Sequence, residues 1–208
     1  WDITSFYGLD EENDAIYFQA AMKNPWQKEV YEKAVNSKNA PKMLAGKLGG
    51  NSAQFSSTYD YFVLTHSSAN EPPSYTVLDR QAKQIRVIED NADLQNLQQA
   101  YNTQSVEFFR FNTTEDVQLN GYMIRPPNFN KNAVYPVLMY VYGGPGSQTV
   151  NDSWGGQNYW WFQMLAQQGY VVMDMDFRGS KGYGRDWRTA VYRNMGTPEV
   201  EDLKEGVS

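Results

Sequence analysis

Short runs of aromatic and β-branched residues, separated by turn-forming residues, fill the first 90 residues of the chain. Apolar runs of this kind, bounded by polar turn residues, predict β-strands. The predicted strands cover 3–7, 15–19, 29–35, 42–44, 53–56, 61–65, 75–78 and 84–88. This part of the chain is therefore predicted to be all-β.

The eight strands form two sets of four with similar spacing. The corresponding positions are Ile16 and Val63, Tyr31 and Tyr75, and Met43 and Val87. The offset of about 45 residues is close to the period of a four-stranded propeller blade. Two blades cannot close a propeller, so this interpretation expects further blades before Trp1 in a parent protein. A small sandwich with coincidental spacing is the alternative.

The pattern changes after residue 90. A stretch rich in Gln and Leu at 93–101 predicts a short connecting helix, and two strands follow at 106–111 and 119–125. Strands and helices then alternate, with strands at 135–142 and 170–176 and helices at 159–168, 186–194 and 200–207. A hairpin followed by this alternation is typical of an α/β domain. The nearly continuous apolar run at 135–142 predicts a strand that is buried on both faces.

Composition excludes several classes of function. The 24 acidic and 18 basic residues give a net charge of −6, which disfavours binding to nucleic-acid phosphates. The absence of cysteine excludes disulfides, iron–sulfur clusters and thiolate zinc sites. No apolar stretch approaches the roughly 18 residues needed to span a membrane. Because the chain begins at Trp1 without a signal peptide, we expect an excised or processed piece.

Residues for common catalytic and cofactor sites are scarce. His66 is the single histidine, and it precedes every candidate serine of the α/β part, whereas α/β hydrolases use the order Ser, Asp, His. We therefore expect His66 to be a surface or turn residue. The carboxylate clusters at 10–14 and 199–202 do not follow the calcium-loop pattern, and the glycine-rich loops do not match nucleotide-binding patterns. No metal and no cofactor are predicted.

Tyr142 is the sharpest candidate for chemistry. It follows the apolar strand at 135–142 and precedes a turn made by Gly143, Gly144 and Pro145. Ligands bind at the carboxyl ends of strands in α/β sheets, and a phenol can donate a hydrogen bond to a developing oxyanion. From the residues alone, an oxyanion donor and a packing tyrosine beside a tight turn remain equal alternatives.

Four motifs resemble the dipeptidyl peptidase IV family, within the prolyl oligopeptidase group of serine peptidases. They are the hairpin at Asn120–Pro127, the strand and turn at Tyr135–Pro145, the loop at Asp176–Ser180 and the segment at Met195–Asp202. The motifs occur in the order and spacing of the family. The resemblance is specific over about 105–208, while 1–90 is similar to the last blades of the propeller of that family.

The resemblance implies a mixed fold class, with the C-terminal blades of a β-propeller followed by the N-terminal half of an α/β-hydrolase domain. The expected domains are 1–91 for the last two blades, 92–104 for a linker helix and 105–208 for the partial hydrolase domain. In that fold the nucleophile elbow is expected roughly 20 residues past Ser208, with the Asp and His of the triad beyond it. The chain alone is therefore predicted to be inactive.

The resemblance also implies a function for the parent protein, which is the release of N-terminal dipeptides, with Pro or Ala second, from peptide substrates. Tyr142 lies where the oxyanion tyrosine of the family lies, beside Gly143, Gly144 and Pro145. Related prolyl tripeptidyl or acylaminoacyl peptidases, and a catalytically dead relative that serves as a binding or regulatory protein, are the alternatives. A homodimer in a periplasmic or extracellular location is expected.

Arg178, Glu201 and Asp202 are predicted to be structural. A partly buried arginine after a strand needs a carboxylate partner. The expected partner of Arg178 is Asp174, Asp176 or Glu201.

Overall fold

The computed structural model describes residues 1–142 and 144–207, and its contacts divide the chain into two compact units. Unit 1 comprises Trp1–Leu97 together with the short segment Asn151–Trp154. Unit 2 comprises Gln98–Val150 and Gly155–Ser208. Within the described residues, no helix has the length and apolar character that a membrane span requires.

Unit 1 contains two four-stranded antiparallel sheets, each with its strands in sequence order. The strands are β1 (Ile3–Asp10), β2 (Ala15–Ala20), β3 (Glu29–Ala34), β4 (Lys42–Ala45), β5 (Gly50–Phe55), β6 (Tyr61–Ser67), β7 (Ser74–Asp79) and β8 (Gln84–Glu89). Strands β1–β4 form the first sheet and β5–β8 the second. Ile16 and Val63 lie on the second strand of their sheets, so the predicted repeat of four strands corresponds to two structural repeats.

Aromatic side chains form a large part of the core of unit 1. The ring of Phe55 lies 4.6 Å from that of Tyr17 and 4.9 Å from that of Phe62, measured between centroids. Tyr17 and Phe62 are almost completely buried. Because these rings come from both sheets, they bury apolar surface between the two repeats, which is the main stabilising contribution that such sheets need.

His66 is buried, so the expectation of a surface or turn residue is wrong. Strand β6 continues to Ser67, two residues beyond its predicted end, and pairs His66 with Asn51 of β5. The ring atom Nδ1 of His66 lies 2.8 Å from Oδ1 of Asn51. Burial lowers the pKa of His66, and the positive charge of Lys47 lowers it further. The histidine thus has a structural partner within the sheet.

The segment Asn151–Trp154 belongs to unit 1, although its neighbours in sequence belong to unit 2. The carboxylate of Asp152 accepts hydrogen bonds from Nε2 of Gln27 at 3.1 Å and from the backbone N–H of Ala69 at 3.0 Å. The backbone N–H of Asp152 donates to the carbonyl of Trp26 at 2.8 Å. No sequence pattern predicted this association, because it joins residues more than 80 positions apart.

Unit 2 is built on a four-stranded mixed sheet with the strand order β11-β12-β10-β9. Its strands are β9 (Val106–Asn112), β10 (Gln118–Ile124), β11 (Val137–Tyr140) and β12 (Val171–Asp176). The helices are α1 (Ala92–Ala100), α2 (Gln157–Gln167), α3 (Arg185–Thr189) and α4 (Pro198–Gly206). Strand β12 pairs in parallel with β11 and antiparallel with β10, and it lies inside the sheet. Helix α1 includes the sequence boundary between the two units.

Two predicted elements of unit 2 were too long. The strand predicted at 135–142 covers only Val137–Tyr140 and lies at the edge of the sheet, where its residues are exposed or half-buried. The strand predicted at 170–176, β12, was also expected to be buried, and most of its residues are buried. The helix predicted at 186–194 ends at Thr189, and Arg193 then adopts a left-handed backbone with φ of 60°. That conformation is incompatible with a continuous α-helix.

Strand β12 places two carboxyl groups in the interior of unit 2. Asp174 and Asp176 are two residues apart, so both side chains lie on one face of the sheet, and they are 0% and 1% exposed. Burial raises the pKa of Asp174 to about 7, and the neighbouring charge of Asp176 contributes in the same direction. Among the residues that the structure describes, Oδ2 of Asp174 has no hydrogen-bond partner. Ionising Asp174 therefore costs stability.

The raised pKa predicts how stability changes with pH. An ordinary Asp has a pKa of 3.8, so the unfolded chain releases the Asp174 proton before the folded chain does. The free energy of unfolding should therefore fall as the pH rises from about 4 to about 7. Asp174→Asn keeps an oxygen that can accept from the Thr149 hydroxyl but removes the charge. We expect the variant to gain at least about 1 kcal/mol relative to the wild type between about pH 5 and pH 8.

Urea unfolding curves at the two pH values, followed by tryptophan fluorescence, measure this difference. Asp186→Asn removes a carboxylate from an exposed position of α3 and serves as the matched control. Parallel pH dependences for the wild type and Asp174→Asn would show that Asp174 is ionised in the folded chain at ordinary pH.

Candidate active site

Tyr142 lies two residues beyond β11, at the carboxyl end of the parallel strand pair. Its side chain is 50% exposed. A ligand that approaches this end of the sheet can therefore reach the phenol, as the general location of sites in α/β sheets requires. Gly143 lies outside the described residues, and Pro145 is exposed in the turn that follows Gly144.

Gly144 allows the ring of Tyr142 to adopt its position. A Cβ atom at Gly144 would lie 3.2 Å from Cε1 and 3.7 Å from the hydroxyl oxygen of Tyr142. A contact of 3.2 Å is shorter than ordinary van der Waals distance, so a side chain at this position would displace the ring. The glycine therefore allows the close approach of the tyrosine ring, and a side chain at this position would shift that ring by a few tenths of an ångström.

The loop after this turn is hydrogen-bonded to the loop after β12. The backbone N–H of Gly146 donates to the carbonyl of Gly179 at 3.0 Å, and the N–H of Lys181 donates to the carbonyl of Ser147 at 2.9 Å. These bonds satisfy backbone groups that no strand pairing would satisfy. Two loops that follow adjacent parallel strands are thus joined at the same end of the sheet.

Asp176 binds the same loop through its carboxylate. Its Oδ1 atom accepts the backbone N–H groups of Thr149 at 3.1 Å and of Val150 at 3.2 Å. The hydroxyl of Thr149 donates to Oδ1 of Asp174 at 2.9 Å. Burial raises the pKa of Asp176 to about 6, although the N–H of Val150 and the hydroxyl of Tyr183 oppose the increase. Asp176 is therefore mostly ionised near neutral pH, and the loop binds to a buried anion.

A hydrogen-bond chain fixes the other carboxylate oxygen of Asp176. The hydroxyl of Tyr183 donates to Oδ2 of Asp176 at 2.8 Å and accepts from Nδ2 of Asn120 at 2.9 Å. The guanidinium of Arg110 then donates to Oδ1 of Asn120 at 3.0 Å. Burial and the charge of Asp176 raise the pKa of Tyr183, so this phenol stays a donor.

Arg178 binds Asp202 and Glu115, so the expected partners Asp174, Asp176 and Glu201 were wrong. The distances are 2.8 Å from Nη2 to Oδ1 of Asp202 and 2.9 Å from Nη1 to Oε2 of Glu115. The backbone N–H of Arg178 also donates to Oδ2 of Asp202 at 2.7 Å. Hydrogen bonding to Asp202 is the main cause that raises the pKa of Arg178.

The physical reason for the different partner lies in helix geometry. Adjacent residues of a helix differ by about 100° in direction, so Asp202 is buried while Glu201 is exposed. Asp174 and Asp176 are occupied by the Thr149 loop, as described above. Arg178 thus joins the end of β12 to α4. None of these contacts involves the Tyr142 turn.

The arrangement can supply a hydrogen-bond donor to a ligand, because the Tyr142 side chain is half-exposed. The single histidine of the chain, His66, is hydrogen-bonded to Asn51 within unit 1. Sequence reasoning named Asp176 only as a possible partner of Arg178 and missed its bonds to Thr149, Val150 and Tyr183. The available signal was the alternation of Met and Asp at the end of an apolar strand, which is unusual for a buried element.

Two family models match the chain. The model of the "Dipeptidyl peptidase IV (DPP IV) N-terminal region" matches residues 1–73, and the model of the "Prolyl oligopeptidase family" matches residues 157–208. The first lies in the region predicted to form propeller blades. The second lies in the region predicted to be part of a hydrolase domain.

Similar proteins are found among fungal and bacterial peptidases. The dipeptidyl peptidase 4 of Arthroderma otae is 29% identical over 97% of this chain, and that of Trichophyton rubrum is 28% identical over 97%. The chain spans 26% of the length of each relative.

A solved structure gives the same result for the fold. The crystal structure of Porphyromonas gingivalis dipeptidyl peptidase 4 has a TM-score of 0.90 and 34% sequence identity, over 99% of this chain and 28% of that chain. The predicted fold class, propeller blades followed by part of an α/β-hydrolase domain, is confirmed by this likeness. The chain belongs to the dipeptidyl peptidase IV family within the prolyl oligopeptidase group of serine peptidases.

Proposed function

We propose that the chain is part of a serine-type dipeptidyl aminopeptidase that releases N-terminal dipeptides, with Pro or Ala second, from peptides. The relatives named dipeptidyl peptidase 4 support this reaction class. The observation that carries the proposal is the half-exposed Tyr142, whose ring lies against Gly144 at the carboxyl end of a parallel strand. Its role in the complete protein is to donate a hydrogen bond to the oxyanion.

The reaction follows the general course of serine acyl transfer. A serine hydroxyl, whose proton passes to a histidine, attacks the scissile carbonyl carbon. The carbonyl oxygen gains a negative charge as the tetrahedral intermediate forms, and the phenol of Tyr142 donates to that oxygen. The intermediate expels the amine, which takes the proton from the histidine, and water then hydrolyses the acyl-enzyme. Tyr142 acts in both halves, because each forms an oxyanion.

The first test removes the phenolic hydroxyl. In the complete protein, Tyr142→Phe should lower kcat by about 10²–10³-fold, which is the cost of losing one oxyanion donor. Folding should be unaffected because the side chain is half-exposed. Hydrolysis of chromogenic dipeptide substrates with Pro or Ala second measures turnover, and thermal unfolding measures stability. Tyr192→Phe is the matched control, since Tyr192 is 73% exposed. Full turnover in Tyr142→Phe would contradict the assignment.

The second test displaces the phenol of Tyr142 without removing its hydroxyl group. Gly144→Ala places a methyl group 3.2 Å from the ring of Tyr142, so the ring must shift. We expect kcat to fall about tenfold, equivalent to about 1.4 kcal/mol of transition-state stabilisation. The same substitution in a Tyr142→Phe background should have little further effect, because the hydroxyl is already absent. Equal losses in both backgrounds would show that Gly144 acts independently of Tyr142.

The third test concerns the 208-residue chain by itself. Its single histidine is buried in unit 1 with Asn51, so we propose that the chain alone does not catalyse serine acyl transfer. Purified chain should release no chromophore from a dipeptide substrate above the rate of a buffer blank. Turnover that persists through purification and disappears with a serine-directed inhibitor would overturn this prediction. The homodimer and the periplasmic or extracellular location stay predictions.

A further inference from the structure

The carboxylate of Asp176 lies between the core of unit 2 and the loop that follows the Tyr142 turn. We propose that Asp176 is a positioning residue that fixes the loop at 144–150 and, through this loop, the phenol of Tyr142. The inference rests on the proposed function, since it concerns turnover through Tyr142. Nothing in the role of Tyr142 as a donor itself requires an anchor in the core, so the proposal adds a second group to the site.

The first step is the bonding of the loop to one oxygen atom. The N–H groups of Thr149 and Val150 both point to Oδ1 of Asp176, at 3.1 Å and 3.2 Å. Hydrogen bonds to an ionised acceptor are stronger than those between neutral groups. Val150 is fully buried, so its N–H would have no water to bind if the carboxylate were removed. The anion therefore restrains two consecutive backbone positions.

The second step is the rigidity of the anchor. Tyr183 donates to Oδ2 of Asp176, Asn120 donates to Tyr183, and Arg110 donates to Asn120. Asn120 also lies opposite Asp176 in the antiparallel register of β10 and β12. The orientation of the carboxylate is thus determined by side chains from three separate segments. Because this network holds the carboxylate in one orientation, the backbone groups bound to the carboxylate are held in position as well.

The third step connects the anchor to Tyr142. Between Thr149 and the turn, the backbone is bound at Ser147 and Gly146 to Lys181 and Gly179. Gly144 follows directly toward the turn, and the Tyr142 ring lies against it. The bonds to Asp176 thus belong to one set of restraints that begins at Val150 and ends at Gly146, two residues from Gly144.

Stability alone does not account for Asp176. Burial raises its pKa to about 6, which means that the ionised carboxylate is less stable in the folded chain than in water. A neutral side chain of the same shape would avoid this cost. A buried carboxylate whose ionisation costs stability, but which accepts two backbone N–H groups of the loop after the Tyr142 turn, is therefore better explained by positioning.

The experiment uses Asp176→Asn in the complete protein, because asparagine has the same shape without the charge. We expect kcat to fall about tenfold while KM changes less than twofold, since positioning of an oxyanion donor affects the transition state. Hydrogen exchange at the Thr149 and Val150 amides should become at least about tenfold faster. Asp186→Asn is the charge-matched control and should change neither quantity. If Asp176→Asn does not fold, Tyr183→Phe weakens the same anchor and should shift both quantities in the same direction.

A double variant separates this inference from the proposed function. Asp176→Asn should cause little further loss of kcat in a Tyr142→Phe background, because the positioned hydroxyl is absent. Reduced turnover in Tyr142→Phe together with unchanged kcat and unchanged exchange in Asp176→Asn would overturn the positioning role and leave the proposed function intact. Additive losses in the double variant would overturn it as well. Full turnover in Tyr142→Phe would instead overturn the oxyanion assignment, and with it the claim that Asp176 affects turnover through Tyr142.

Discussion

The parallel pairing of β11 with β12 determines where the candidate functional groups of unit 2 lie. Parallel strands place their carboxyl ends at one edge of the sheet, so the loops after both strands meet there. Tyr142 follows one strand, and Arg178 follows the other. The hydrogen bonds from Gly146 to Gly179 and from Lys181 to Ser147 are possible only with this pairing. An antiparallel arrangement would have placed the two loops at opposite ends.

The position of β12 inside the sheet has an electrostatic cost. Asp174 and Asp176 on this strand are buried, and burial raises the pKa of both carboxyl groups. Two backbone N–H groups and the Tyr183 hydroxyl donate to Asp176 and stabilise its ionised form, which offsets part of this cost. The hydroxyl of Thr149 donates to Asp174, and hydrogen bonds from the Met175 N–H and the Tyr122 hydroxyl also oppose the increase in its pKa. Donors from the loop thus oppose the effect of burial at both carboxyl groups.

Local patterns predicted the elements of the fold better than their ends and contacts. Short aromatic and β-branched runs bounded by turn residues identified every strand of unit 1, because that signal is local in the sequence. The apolar run at 135–142 was interpreted as fully buried, but apolarity does not distinguish a strand inside a sheet from one at its edge. The burial of His66 and the pairing of Arg178 with Asp202 depend on residues distant in sequence. The candidate Tyr142 was identified from its turn and the family resemblance. The bonds of Asp176 to Thr149 and Val150 were not predicted, because they also join residues distant in sequence.

The proposed oxyanion donor, Tyr142, is half-exposed and lies outside a strand. An exposed side chain has few packing contacts to fix its position, whereas an oxyanion donor must be fixed in position. Strand pairing holds β11 only to Tyr140, so Tyr142 obtains no restraint from the sheet itself. Packing against Gly144 restrains the ring, but the turn could move as a whole if the following loop were free. The backbone bonds of Gly146 and Ser147 to the loop after β12, together with the bonds of Thr149 and Val150 to Asp176, remove that freedom while they leave the phenol half-exposed. The turn thus leaves the phenol of Tyr142 accessible, while the buried carboxylate of Asp176 helps to fix the loop that follows the turn.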